Sequence, residues 1–420
     1  MKVLWLCNIM MPIFSEELGE ESTPFGGWLS GLLDCLAARD DIDICVCFPY
    51  RKGNPVLKGV VGTISFYGFR ESDNNAGIFS AIIKECAPDI IHIWGTEYKH
   101  TYDMVMAAEE CGLLDEVVIS IQGLVSVIAK YHYYCALPAK VTKTFSLLEQ
   151  INHTDIEHRR NYFEARGRYE VEAIKRTSHV IGRTEWDKAC VMQINPSTRY
   201  HHCNESLRSS FYENCWHIGD CQMHSIFISQ SGTPIKGLHQ MLEAMPLILE
   251  QFPDTHLYAT GSNPKRLNGW KHRLTYESYP KYIRSLLDKY SLNDKVSFLG
   301  ILDETAMRKR FLSSHVFVSS SSIENSSNSI GEAMLMGMPV VCSGVGGIQS
   351  LMEHGREGFI YQWDAPYMLA HYICKIFDDE SKAVEMGRCA RERALITHDR
   401  KKNMRDMLGI YYELVETQDK

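Results

Sequence analysis

Short apolar runs rich in β-branched residues recur along the chain, each followed by a longer stretch with helical spacing. The runs at 3–7, 42–47, 62–67, 90–94, 117–121 and 179–184 read as strands of a first series. A second series stands at 226–229, 256–260, 296–300, 316–318, 340–342 and 355–360. Runs this apolar on both faces suit parallel strands covered by helices. The intervening stretches predict helices up to about residue 38, then over 78–85, 130–176, 241–252, 282–290, 329–336 and 403–416. Strands alternating with helices give an α/β class with parallel sheets.

The densest chemistry lies between Val316 and Gly347. A buried strand end, Val316-Phe317-Val318, runs into a polar loop over 319–328 and a short helix over 329–336. Gly337-Met338-Pro339 ends that helix, and Val340-Val341-Cys342 begins the next strand. The loop therefore sits at carboxyl ends of parallel strands, where open sheets bind ligands. Glu324 and Glu332 frame it, with Ser326, Ser327, Asn328 and Ser329 between them. Backbone donors at a helix N-terminus suit a phosphate, and a carboxylate on each side suits sugar hydroxyls. That combination describes a sugar nucleotide. A plainer reading stays open, in which Ser329 and Glu332 form a capping box.

Size and composition narrow the class. A chain of 420 residues exceeds one core and fits two α/β domains. Hydrophobic content of 45% and charge content of 23% are those of a globular enzyme, and a net charge of −8 argues against a general nucleic-acid binder. Fourteen cysteines are scattered without a C-x-x-C pair, several inside strand runs, which suits a reducing cytoplasm. The richest Cys/His group is His201, His202, Cys203, Cys215, His217, Cys221 and His224, whose irregular spacing is unlike a zinc site. The amino terminus reads as a strand rather than a signal peptide, and no 18-residue apolar run is long enough to cross a membrane. The stretch 130–176 mixes Tyr131, Tyr133 and Tyr134 with Lys140, Lys143, Arg159 and Arg160. Two readings stay open for it: contact with an anionic membrane surface, or a solvated face with aromatic anchors.

The pattern Glu324-x7-Glu332, with Ala333-Met334, Gly337-Met338-Pro339-Val340-Val341 and Gly346-Gly347, resembles the signature of the retaining glycosyltransferases of family 4. The resemblance implies a GT-B architecture of two facing Rossmann-like domains with a donor cleft between them. The domains would be 1–215 on the acceptor side and 216–400 for the nucleotide sugar, with 401–420 as a helix crossing back. It implies transfer of a sugar from a nucleoside diphosphate sugar to a hydroxyl of a glycan or lipid-linked acceptor, with retention, in surface polysaccharide or glycoconjugate synthesis.

The resemblance also implies roles. Glu332 holds the ribose, Glu324 orients the donor sugar, and Lys236 with Gly237 meets the diphosphate. Ser231 stands where the family's Arg-x4-Lys-Gly motif has its arginine, leaving Arg183 or Arg266 to supply a second cation. Gln122 stands where many members carry a histidine, and its amide could bond a sugar hydroxyl; with Glu324 and Lys236 it completes the expected catalytic set. Gly26, Gly27, Gly261, Ile301, Ser327, Asn328 and Ser329 complete the donor-binding set, Ile301 through backbone groups to the nucleobase. The chain is read as lacking an Asp-x-Asp metal motif, so no metal or other cofactor is expected. The expected partners are a nucleotide sugar and an acceptor, with the membrane surface open and no nucleic acid. The expected location is the cytoplasm or the inner face of the plasma membrane. A sugar-nucleotide 2-epimerase, a phosphorylase and a non-catalytic sugar-nucleotide-binding subunit are the alternatives.

Overall fold

The computed structural model describes residues 1–21, 27–52, 55–261, 263–264 and 278–416. The chain divides into two compact units. The first comprises 1–127, 164–208 and 398–420, and the second 128–163 and 209–397.

In the first unit an eight-stranded sheet has β1 (Lys2–Cys7), β2 (Asp43–Pro49), β3 (Val56–Val61), β4 (Ile64–Phe69), β5 (Ile90–Trp94), β6 (Val117–Ser120), β7 (His179–Gly182) and β8 (Arg199–His202). Their order is β3-β4-β2-β1-β5-β6-β7-β8, all parallel except the β3–β4 hairpin. The run at 62–67 is thus the second arm of a hairpin. β3 alternates half-buried with exposed positions, as an edge strand does. β1 pairs with β2 on one side and β5 on the other, so the order reverses between β1 and β5.

The helix Arg400–Glu416 belongs to this unit, with Tyr411 wholly buried. Trp5 Nε1 donates to the Tyr411 hydroxyl at 3.0 Å, and that hydroxyl lies 2.6 Å from His92 Nδ1. His92 Nε2 reaches Ser120 Oγ at 2.7 Å. Burial lowers the His92 pKa to about 3, so the ring is neutral. A neutral ring accepting at Nδ1 and donating at Nε2 satisfies every partner in the row.

The second unit has β9 (Gln222–Ile228), β10 (His256–Ala259), β11 (Val296–Phe298), β12 (Ser314–Ser319), β13 (Val340–Ser343) and β14 (Phe359–Tyr361). Their order is β11-β10-β9-β12-β13-β14, parallel throughout, with the reversal between β9 and β12. Helices Leu238–Gln251 and Pro366–Phe377 bury apolar faces in the core, through Met241, Leu242, Met245 and Ile248 and through Leu369 and Ile373.

The segment 128–163 departs from the expected layout. It falls within the stretch assigned to a first domain of 1–215, yet Tyr133, Leu137 and Ile156 join the core of the second unit. The expected continuous helix over 130–176 is broken by a turn in which Cys135 and Ala136 both have left-handed φ, 54° and 55°. His239 Nε2, 2.8 Å from Cys135 O, and Ser322 Oγ, 3.1 Å from Cys135 Sγ, hold that turn in place. The Glu149 carboxylate accepts from Ser146 N and Ser278 N, each at 2.6 Å, tying the segment to the helix Ser278–Lys289.

Candidate functional site

In the second unit the loops after β9 and β12 meet at the strand-order reversal. Gly237, with φ +70°, leads into the helix Leu238–Gln251, and an added Cβ would overlap Ser320 O. Only glycine tolerates both conditions. Ser320 Oγ donates to Gly237 O at 2.9 Å and Ser322 N to Ile235 O at 2.8 Å, so the two loops are stitched together. The loop after β13 joins them. Gly347 N donates to Glu324 O at 2.9 Å, and Gly346, with φ +52°, has no room for a Cβ against that same carbonyl.

These approaches place the Lys236 ammonium 2.6 Å from Glu324 Oε1, which also accepts from Ser321 Oγ at 2.6 Å. Both side chains are largely shielded, Lys236 keeping 26% of its surface and Glu324 11%. Lys236 and Glu324, expected to serve diphosphate and sugar separately, are therefore ion-paired. Ser321 is a partner the motif reading did not find, although its place beside the glutamate loop was a signal.

The helix begins at Asn328 rather than Ser329, with Ser327 at its N-cap and no side-chain cap bond. Ser329 is then the second helical residue and Glu332 the fifth, so the capping box is not formed. Ser329 Oγ instead lies 3.2 Å from Ser327 Oγ. Glu332 is buried. The first backbone N–H groups of the helix Asn328–Leu335 lack intrahelical acceptors, and the helix starts shortly after Glu324 in the sequence.

Other expected positions fall elsewhere. Gly261 N donates to Gly300 O at 2.9 Å, so this donor serves the sheet edge. Ile301 is exposed just past Gly300, at the end of edge strand β11. Ser231 is buried with its hydroxyl on Thr260 O at 2.5 Å, and so brings no charge where the motif has a cation. Gly26 and Arg266 lie outside the described residues. Gly27 opens the helix Gly27–Ala37 of the first unit.

Gln122 stands in the first unit, where its Nε2 donates to Glu205 Oε1 at 2.6 Å. Arg183 pairs with Glu205 and also donates to Ile121 O at 3.2 Å. Burial raises the Glu205 carboxyl, and the Arg183 charge opposes that shift. Arg183 is thus held in a buried ion pair, and Gln122 supports that pair.

One further expectation changes. An Asp-x-Asp does occur, Asp41-Ile42-Asp43, but it enters β2 at its amino end, and Asp41 is bonded to Arg39 Nη2 and the Tyr412 hydroxyl at 2.7 Å each. The Cys/His group at 201–224 does not gather. His201 Nε2 lies 3.0 Å from His179 Nδ1, Cys203 Sγ donates to Asn403 O, and His224 Nδ1 lies 2.9 Å from the Asp254 carboxylate. Among the described residues no three His, Cys, Asp or Glu side chains come together as a metal site.

Residues 224–393 match the family described as glycosyl transferases group 1. That stretch is similar to a glycosyltransferase group 1 domain. It holds both framing glutamates, Lys236 and all six strands of the second sheet except the start of β9. Among curated proteins, spore coat protein SA of Bacillus subtilis is 26% identical over 179 residues, 42% of this chain and 45% of that protein. The chain thus spans less than half the length of this relative.

Solved structures align along almost the whole chain. Sucrose-phosphate synthase from Thermosynechococcus elongatus shares 15% identity over 99% of both chains, with a TM-score of 0.67. Anabaena HepE in complex with UDP-glucose shares 17% identity over 100% of this chain and 99% of that one, also with a TM-score of 0.67. The fold is therefore GT-B, with two α/β domains built on parallel sheets. No helix among the described residues is long and apolar enough to cross a membrane.

Proposed function

We propose that the protein is a retaining glycosyltransferase that moves a sugar from a nucleoside diphosphate sugar to a hydroxyl of a glycan or lipid-linked acceptor. The observation that carries this reading is the Lys236–Glu324 pair at the strand-order reversal of the second sheet, flanked by the N-terminus of the helix Asn328–Leu335. A diphosphate entering there gains the Lys236 charge and helix-end N–H groups, which steady the negative charge that grows as the leaving group departs. Glu324, released from Lys236, then faces the sugar. Glu332 is assigned to the ribose, and Gln122 to a sugar hydroxyl.

HepE binds UDP-glucose, which makes UDP sugars the first donors to try here. The reaction is proposed to need no metal, because the charge of the leaving diphosphate is met by Lys236 and backbone dipoles. Contact with a membrane surface is part of the proposal. The segment 128–163 exposes Tyr131, Phe145, Ile151 and Tyr162, and exposed Lys130, Lys140 and Lys143 stand on the same segment.

The test is turnover of a panel of UDP and GDP sugars followed by NMR, in excess chelator and in magnesium. Transfer or hydrolysis with the donor's anomeric configuration kept, equal in both conditions, supports the reading. Conversion of the donor into its C2 epimer would make the protein an epimerase. Binding without any turnover would make it a non-catalytic subunit.

A further inference from the structure

The first unit has its own strand-order reversal, between β1 and β5, and a constellation outside the donor site occupies it. Cys7 and Trp94 are register partners at the carboxyl ends of these two strands. Asn8 and Glu97 follow them, and Asn8 Nδ2 donates to Glu97 Oε2 at 3.2 Å. The other face of the same amide, Asn8 Oδ1, lies 2.7 Å from His100 Nε2, which must therefore carry the proton. Glu71 Oε1 stands 3.6 Å from His100 Nδ1, and the contact with His100 lowers the Glu71 carboxyl below its ordinary value.

Carboxylate, imidazole, amide and carboxylate thus form one row ending at Glu97. The backbone is shaped to allow it. Gly95 has φ +99°, and a Cβ there would overlap both Glu97 Oε2 and Asn8 Nδ2. Gly123 faces the second oxygen, Glu97 Oε1, and a Cβ on Gly123 would sit 3.6 Å from it. Glu97 is half-buried, and its carboxylate accepts from Asn8 Nδ2 and from the backbone N–H groups of Thr96 and Glu97. A carboxylate has about four acceptor positions, so capacity for a ligand hydroxyl remains.

We propose that Glu97, oriented by Asn8 and His100, binds the hydroxyls of an uncharged polyol or sugar at the first unit's strand-order reversal. Open parallel sheets take ligands at this place. A carboxylate accepts from hydroxyl donors and repels phosphate or a second carboxylate. The nearby cations already have partners, and the Arg166 charge acts on Glu97 and Glu71 themselves. Arg166 donates its Nε to Glu97 O and lies over the Tyr98 ring at 4.3 Å, Lys99 pairs with Asp103 at 2.5 Å, and Arg183 pairs with Glu205. The glycosyl-transfer reading enters only in naming the bound alcohol as the group that receives the sugar.

The experiment uses the full chain and saturation-transfer NMR with methyl α-D-glucopyranoside, methyl α-D-mannopyranoside and myo-inositol, each set against its phosphate ester. UDP is titrated in parallel as an independent readout of the donor site. Wild type should bind one or more uncharged probes at least threefold better than the matching ester. Glu97→Ala should abolish that signal, and Gly123→Ala, which narrows the space beside Oε1, should weaken it. Both variants should keep the wild-type melting profile and UDP affinity. Absence of binding by every uncharged probe, preference for the esters, or unchanged binding in Glu97→Ala would each overturn the proposal. Loss of UDP binding in wild type would overturn the donor assignment alone and leave this site standing.

Discussion

Lys236 Nζ lies 2.6 Å from Glu324 Oε1 across 88 residues of sequence. The cation assigned to the diphosphate and the carboxylate assigned to the sugar are already partners. A donor must therefore exchange one charge pair for another, which keeps the lysine positioned and the site from collapsing around a lone charge.

The pairing predicts non-additive kinetics. Lys236→Ala should reduce kcat/KM by an amount worth about 2–4 kcal/mol of transition-state stabilisation. Glu324→Gln should lower kcat. The double variant should lose less than the sum of the single losses by at least about 0.5–1 kcal/mol, because each single change also strands the other partner. Strict additivity in a double-mutant cycle would sink the idea that the two act as a unit.

The glycines that let the loops converge predict an asymmetry in stability. Gly237 has φ +70° and no room beside Ser320 O, whereas Gly62 has φ +60° and open space around it. Gly62→Ala should carry only the left-handed backbone penalty, about 1–2 kcal/mol. Gly237→Ala should cost distinctly more, read from urea unfolding monitored by tryptophan fluorescence. Equal losses would mean that the loop contact is soft.

Much of this was legible before any coordinates. Strands such as β1, β5 and β12 are buried along nearly their whole length, so an unbroken apolar run marked them. β3 and β8 were not legible, because β3 is half-exposed and β8 reads Arg-Tyr-His-His. Lys236 and Glu324 are both marked by local motifs in the sequence, but their contact depends on loop positions that only the sheet order fixes. The placement of 128–163 failed for a related reason. Tyr133 and Leu137 carry no sign of which core they join, and the break at Cys135 and Ala136 places non-glycine residues where a turn would normally advertise itself with Asn or Gly.

Glu170 predicts a pH dependence of stability. Its carboxylate accepts from Thr96 Oγ1 at 2.7 Å, Val125 N at 3.0 Å and Ser126 N at 2.9 Å, fixing the loops after β5 and β6. Burial outweighs these bonds and raises its pKa from 4.5 to about 7. The folded state then holds the proton more tightly than the unfolded chain. Its contribution is fully present below pH 4.5 and is lost as pH rises to 7, by about 3 kcal/mol. Glu170→Gln should be less stable than wild type at pH 4.5, because its amide N–H meets donors, and the deficit should shrink as pH approaches 7. A constant deficit across that window would contradict the raised value.

The C-terminal helix should depend on one hydroxyl. Tyr411→Phe leaves Trp5 Nε1 and His92 Nδ1 buried without their shared partner. The expected loss is about 1–3 kcal/mol in chemical denaturation. A change below about 0.5 kcal/mol would show that the row is not contributing.

Calorimetric titration of UDP into wild type, Lys236→Ala, Glu332→Gln and Glu324→Gln tests the donor-site assignment most directly. Lys236 and Glu332 are assigned to parts of the nucleotide that donor and product share, so both variants should bind UDP at least about tenfold more weakly. Glu324 is assigned to the sugar alone, and its loss frees Lys236, so Glu324→Gln should bind UDP as well as wild type or more tightly. No UDP binding by wild type, equal affinity in all four proteins, or a loss confined to Glu324→Gln would contradict the account.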